Sequence, residues 1–137
     1  MKNFFDSIAR WWNDDKLFET TISKQDPRMY LVLREDLAYK YIQGGHALAQ
    51  FGLEHPLEFN EWNNEFLICL SVFNGLALDE VVHQLIDEVP LDSVVDRTPS
   101  IFFEPDLKSE LPTAIAIFEN GDGYVSNALK KLRLATK

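Results

Sequence analysis

The stretch that decides the fold reads MYLVLREDLAYKYIQGGHALAQ and spans residues 29–50. It begins with the apolar run Met29–Leu33, which predicts a strand buried on both faces. A charged turn follows at residues 34–36, and Tyr39–Glu54 then has the pattern of a helix. Polar side chains therefore follow the end of an apolar strand. In open α/β sheets this is where ligands and catalytic groups collect.

A second stretch, IFFEPDLKSELPTAIAIF at residues 101–118, repeats this arrangement. The apolar runs Ile101–Glu104 and Thr113–Phe118 predict two strands, separated by a polar turn between Pro105 and Pro112. Because that link is short, the two strands are expected to be antiparallel neighbours. The acidic residues of the turn would then lie beside the start of the last strand.

The other predicted elements alternate between strand and helix. A buried strand is expected at Phe66–Val72, an amphipathic helix at Leu78–Val89 and a closing helix at Tyr124–Leu134, while Glu58–Glu65 resembles an acidic, aromatic loop. This alternation predicts an α/β fold. We expect residues 28–137 to form a single layered domain, in which a mixed four-stranded sheet is flanked by helices on both faces.

Residues 1–27 precede this domain and are expected to form an N-terminal helical extension and linker. Asn3–Asn13 has the spacing of a short amphipathic helix, and its apolar side chains are Phe4, Phe5, Ile8, Trp11 and Trp12. Such a helix either packs on its own domain or a second subunit, or docks on another protein. Only Lys2 and Arg10 are basic here, which disfavours a membrane surface as its target.

The charge of the chain is concentrated in its centre. Residues 28–118 contain five basic and fifteen acidic side chains, which gives 5 − 15 = −10. A phosphate backbone is repelled by such a surface, so tRNA is disfavoured as a partner. No membrane span or signal peptide is expected. The single cysteine, Cys69, excludes an internal disulfide and is expected to pack as a small apolar residue, and a cytoplasmic protein is predicted.

Several segments, taken in order, resemble the class 2 (archaeal and eukaryotic type) peptidyl-tRNA hydrolases. They are MYLVLRED, the Gln43-x-x-His46-Ala47 helix, the Trp-containing loop before FLICLSV, and FFEPDL followed by LPTAIAIF. The resemblance spans Met29–Phe118 and implies hydrolysis of the ester between a peptide and the tRNA ribose. The family has a lysine four residues before the glutamine, whereas this chain has Tyr39 there and Lys40 one position later. A shift of one residue turns a helical side chain by about 100°.

The resemblance also implies a set of site residues. The catalytic candidates are Lys40, His46, Glu104 and Thr113, and the candidates for substrate binding are Arg34, Asp36, Gln43 and Asp106. Glu104 occupies or adjoins the position of the family's aspartate. It or Asp106 would polarise water, while Lys40 or Thr113 would donate to the oxyanion and His46 would orient these groups.

Each candidate also has a purely structural interpretation. His46 would be a buried, satisfied histidine, Thr113 would simply begin a strand, residues 104–106 would form an acidic turn, and Lys40 would be solvated. His83 is interpreted as a surface residue and His55 as a helix-end residue. The three histidines lack metal-ligand spacing, and neither a metal nor a cofactor is expected.

Two functions follow from these interpretations. In the first, the protein hydrolyses the acyl ester of a charged tRNA or a related ester. In the second, it is a catalytically silent relative that binds proteins through its acidic surface or its N-terminal helix, which could also form a homodimer. A third possibility is an acidic mimic of phosphate that competes with nucleic acid for a basic partner.

Overall fold

A computed structural model describes residues 27–88, 98–107, 110–120 and 127–136. The predicted N-terminal helix and its linker lie outside these residues, apart from Pro27. The described secondary structure comprises β1 (Arg28–Arg34), α1 (Lys40–Glu54), α2 (Pro56–Trp62), β2 (Phe66–Val72), α3 (Gly75–Glu88), β3 (Ser100–Phe102), a 3-10 turn (Pro105–Leu107), β4 (Ala114–Glu119), α4 (Asn127–Lys130) and β5 (Arg133–Leu134).

The strands form one mixed sheet in the order β3-β4-β1-β2-β5. The central strand β1 runs parallel to β2, with Arg28 opposite Phe66 and Arg34 opposite Val72. It runs antiparallel to β4, which in turn pairs antiparallel with β3. The α/β class and the antiparallel pairing of the last two predicted strands are therefore confirmed.

The predicted number of four strands was wrong, because the described residues contain a fifth. Arg133 and Leu134 were assigned to the closing helix, but they pair antiparallel with Ser71 and Leu70 of β2. The backbone N–H of Ala135 continues this pairing and donates to the carbonyl oxygen of Cys69 at 2.8 Å. The edge of β2 forms the hydrogen bonds that make these residues a strand. The hydropathy pattern of the sequence does not predict such pairing.

The segment Glu58–Glu65, predicted as an acidic, aromatic loop, overlaps the helix α2. Pro56 stands in its first turn, where a missing backbone N–H costs nothing. Trp62 ends the helix and is buried, and its indole N–H donates to the carbonyl oxygen of Phe66 at 2.8 Å. Burial of this large side chain stabilises a helix that is too short to form alone.

Helix α1 lies close against the central strand, and this contact positions the candidate site. It packs on β1, β3 and β4. A Cβ atom added at Gly44 would come within 2.6 Å of Cδ2 of Leu33, so a glycine is needed for the close approach. All of β1 except Arg34 is buried, as predicted for this strand. The covering of both sheet faces by helices stays a prediction.

Helix α3 packs against β1 and β2. Cys69 is buried among the apolar side chains of the core, as predicted, and burial raises the pKa of its thiol to about 12. No helix in the described ranges is both long enough and apolar enough to cross a bilayer.

Candidate functional site

The candidate site lies where α1 meets the end of β3 and the beginning of β4. Gln43 stands on the first turn of α1, Glu104 follows β3, and Thr113 immediately precedes β4. Gln43 and Thr113 are buried, whereas Glu104 is half-buried. The fold therefore brings together three of the predicted site residues from segments that are far apart in sequence. We refer to Gln43, Glu104 and Thr113 as the site cluster.

Hydrogen bonds connect the three side chains of the site cluster. The Thr113 hydroxyl oxygen lies 3.0 Å from Oε1 of Gln43 and 3.1 Å from the carbonyl oxygen of Phe102, so its single hydrogen has two acceptors. The Nε2 group of Gln43 donates to Oε2 of Glu104 at 3.1 Å. The buried carboxamide of Gln43 thus uses both its oxygen and its nitrogen, and it holds the Glu104 carboxylate in one orientation.

Thr113 and Glu104 differ in solvent exposure, and this difference indicates different chemical roles. Thr113 is 1% exposed, so its hydroxyl is enclosed by protein and orients Gln43. Its backbone N–H also donates to the carbonyl oxygen of Phe102 at 2.8 Å. The partly exposed Glu104 carboxylate is the member of the site cluster that can meet water or a ligand. Asp106 lies two residues further on, exposed on the 3-10 turn.

His46 lies on α1, almost one turn after Gln43, and its side chain is exposed. The interpretation of His46 as a buried, satisfied histidine was therefore wrong. Its ring stacks on Phe102, with 4.7 Å between ring centroids and 12° between the planes. Phe102 therefore contacts His46 through its ring and Thr113 through its carbonyl oxygen. His83 is exposed and His55 caps α1, as predicted for both.

Arg34 and Asp36 form a bidentate ion pair at the end of β1. Nε and Nη2 of Arg34 donate to the two carboxylate oxygens of Asp36 at 3.0 and 2.8 Å. The hydrogen bond and charge of Arg34 outweigh partial burial and lower the pKa of Asp36. Nη1 of Arg34 donates to the carbonyl oxygen of Pro112 at 3.2 Å. The guanidinium thereby ties the end of β1 to the residue just before Thr113.

Lys40 has different partners from those expected of a residue in the site cluster. Its ammonium pairs with the Glu35 carboxylate and with the hydroxyl of Thr136, and it lies 5.4 Å from the ring centroid of Tyr41. None of these described contacts involves the site cluster. Lys40 was predicted as a catalytic residue, but its contacts do not bring it to Glu104 or Thr113.

Glu35 organises this second group, and sequence reasoning missed its role. Both of its carboxylate oxygens accept bonds from Thr136, at 3.0 Å from the backbone N–H and 2.8 Å from the hydroxyl. Burial alone would raise the pKa of Glu35, but the bonds from Lys40 and Thr136 and the charge of Lys40 lower it to about 2. The Tyr41 hydroxyl donates to the Thr136 carbonyl. Glu35 stands five positions before Lys40, but nothing in the sequence indicates Thr136 as the shared partner.

The candidate site contains side chains suited to acid–base chemistry. In the described part of the chain, no three histidine, cysteine or acidic side chains are grouped so that they could hold a metal ion. The site cluster instead offers one oriented, partly exposed carboxylate, and the exposed imidazole of His46 stacks on Phe102 of strand β3. A carboxylate and an imidazole are both side chains that can accept and return a proton.

Neither a protein-family model nor a curated protein matches this sequence. A solved structure from Agrobacterium tumefaciens strain C58, of a protein of unknown function called Atu0240, is similar in fold with a TM-score of 0.57. The similarity covers 81% of this chain and 98% of the other, at 12% sequence identity. At that identity the comparison supports the fold alone.

Proposed function

We propose that the protein hydrolyses an acyl ester of a charged tRNA, or a closely related ester, with Glu104 polarising the attacking water. The observation that carries this proposal is the hydrogen-bonded site cluster, in which a buried carboxamide orients a partly exposed carboxylate. The resemblance to class 2 peptidyl-tRNA hydrolases supplies the substrate class. The chemistry itself rests on the geometry of the side chains.

The proposed reaction needs one proton acceptor and one proton donor. Water adds to the acyl carbon while one of its protons passes to Glu104. The bond between the acyl carbon and the ribose oxygen then breaks, and the protonated Glu104 returns its proton to the ribose oxygen, which leaves a carboxylic acid, a free hydroxyl and the Glu104 carboxylate. His46 is exposed and stacks on Phe102. We assign its imidazole to bind the ribose of the substrate.

Several site residues receive roles that differ from those implied by the resemblance. Thr113 is a positioning residue in this proposal, because its enclosed hydroxyl reaches Gln43 and the Phe102 carbonyl. Lys40 is a structural residue, because its ammonium is paired with Glu35 and bonded to Thr136. Arg34 supports the segment before Thr113 through its bond to the Pro112 carbonyl, and Asp36 holds the Arg34 guanidinium in place.

The variant Glu104→Gln tests this proposal with little disturbance of the fold. A glutamine at position 104 keeps an oxygen that can accept from Gln43, but it cannot take a proton from water. We expect cleavage of peptidyl-tRNA to fall by about 100-fold or more. The matched control is Glu80→Gln, which makes the same change at an exposed position on α3. Equal cleavage rates for Glu104→Gln and the wild type would refute the assignment.

A second candidate function is that of a catalytically silent, acidic module that binds another protein. It is favoured by the pairing of Lys40 and Arg34 with acidic neighbours, which leaves few cations to meet tRNA phosphates. Two exposed apolar side chains near the end of β2, Phe73 (79%) and Leu76 (64%), offer contact surface. This candidate predicts that the wild-type protein neither binds nor cleaves peptidyl-tRNA at low salt, where charge-mediated binding is strongest.

A further inference from the structure

A pocket beside α2 lies outside the site cluster and has a chemical character of its own. Its volume is about 460 Å³, and it is lined by Leu48, Phe59, Asn60, Trp62, Asn63 and Asn64. Pockets of a few hundred Å³ with mainly apolar walls and a few polar groups are typical of sites for small ligands. The pocket shares no residue with the proposed hydrolytic site, and the inference drawn from it does not rest on that proposal.

The aromatic wall of the pocket is held in place by its surroundings. The rings of Phe59 and Trp62 lie 5.7 Å apart at an angle of 58°. Phe59 packs over Gly52 of α1, where an added Cβ would be 3.4 Å from the ring. The Trp62 indole N–H is already bonded to Phe66, so the indole is fixed and its polar group is used. Phe59, which is 36% exposed, is therefore the ring available for stacking.

The polar wall of the pocket is made of carboxamides. Asn63 and Asn64 both have left-handed backbones, with φ of 50° and 56°. This conformation is unfavourable for most residues with a Cβ atom, and asparagine tolerates it better than most. The Asn64 carboxamide has a donor and an acceptor side by side, which match the N6 and N7 edge of adenine. An aromatic face for stacking and a carboxamide for edge recognition together fit a purine base.

The charge around the pocket restricts which form of the base would enter. None of the lining residues is a cation, and Glu58 and Glu61 stand on the same helix. A phosphate in this pocket would find no compensating positive charge among the lining residues. We propose that this pocket binds an adenine nucleoside without phosphate groups. The adenine could belong to a free nucleoside or to an unpaired base in RNA, and the acidic surface favours the free nucleoside.

Titration of the full-length protein with adenosine tests the proposal, followed by calorimetry or by chemical shifts of the asparagine side chains. We expect saturable binding of adenosine, at least tenfold weaker binding of AMP, and weaker binding of uridine, which offers a smaller ring and a different edge. A short adenylate oligomer separates the two sources of the base. If it binds more weakly than adenosine, the free nucleoside is the ligand, and if it binds more tightly, that part of the proposal is overturned.

The variant Asn64→Gly removes one carboxamide without straining the backbone, since glycine accepts this positive φ. We expect it to fold at least as stably as the wild type and to bind adenosine at least tenfold more weakly. Phe59→Leu should also weaken binding, while Glu80→Gln should leave it unchanged. The proposal is overturned if wild-type protein fails to bind adenosine at millimolar concentration. It is also overturned if toluene binds as well as adenosine and Asn64→Gly has no effect.

Discussion

Gln43 is the residue on which the proposed site depends, because its carboxamide is the link between a buried hydroxyl and a carboxylate that solvent can reach. Its oxygen faces Thr113 at 3.0 Å, and its nitrogen donates to Glu104 at 3.1 Å. An unsatisfied buried polar group costs about 1–3 kcal/mol. Both bonds therefore favour a single orientation of the amide, and that orientation fixes where the carboxylate points.

Glu35 is the residue for which the structure predicts a clear dependence of stability on pH. Its pKa in the folded protein is about 2, below the ordinary value of 4.5. A lowered folded-state pKa contributes stability above the unfolded-state pKa, and this contribution is lost as the pH falls towards the folded-state value. We expect the free energy of unfolding to decrease between pH 4.5 and about 2. The variant Glu35→Gln should show a shallower decrease, measured by urea denaturation.

The control for this experiment is again Glu80→Gln, whose pH profile should follow that of the wild type. Parallel profiles for Glu35→Gln and the wild type would contradict the role of Glu35 as the acceptor for Lys40 and Thr136. The same result would make Lys40 a candidate for the hydrolytic site again, because its ammonium would then not be held by Glu35.

The sequence indicated some of these residues and missed others for a physical reason. The sequence predicted the three residues of the site cluster, Gln43, Glu104 and Thr113. Each lies in a segment that resembles the peptidyl-tRNA hydrolase family, and the segments follow the same order along the chain. The partner of Lys40 was missed because Thr136 lies 96 residues away, just after a strand that the sequence did not predict. The stacking of His46 on Phe102 was likewise not predicted, because it joins α1 to β3 across residues that are far apart in sequence.

At the scale of elements, two adjacent glycines in α1 have opposite expected effects. A Cβ at Gly44 would come within 2.6 Å of the fully buried Leu33, whereas a Cβ at Gly45 would meet nothing within 4 Å. We expect Gly44→Ala to destabilise the protein by about 1–3 kcal/mol through overpacking. Gly45→Ala should stabilise it by up to about 1 kcal/mol, since alanine favours a helix more than glycine does.

Urea denaturation of the two variants gives this comparison directly, because each variant is the control for the other. A stabilised Gly44→Ala protein would mean that α1 does not lie as close to β1 as the structure shows. In that event, Gln43 would also be too far from Thr113 to bond to it.

The central elements were predicted well, and the errors lie at the periphery of the sheet. Strand β2 was predicted with its observed bounds, and β1, β4 and α1 within one residue at either end. These segments have long, unambiguous patterns and large buried surfaces. The short helix α2 and the two-residue strand β5 were missed, because burial of Trp62 and pairing with the edge of β2 decide them rather than local propensity.

At the scale of the whole molecule, the charge distribution determines how a tRNA could bind. The two cations at the end of β1 and the start of α1 are neutralised by neighbours, Arg34 by Asp36 and Lys40 by Glu35. With residues 28–118 at −10, few contacts to phosphates are expected. Recognition would then depend on the acyl group and its ribose more than on the nucleic-acid backbone, and binding should depend only weakly on salt.

The most direct test of ester hydrolysis is to incubate the wild-type protein with peptidyl-tRNA in water enriched in oxygen-18 and to weigh the released peptide by mass spectrometry. We predict release well above the protein-free rate, with one heavy oxygen in the new carboxyl group, because water attacks the acyl carbon. The Glu104→Gln protein should release little. Release no faster than in the protein-free reaction would contradict the proposed hydrolysis and favour the protein-binding alternative.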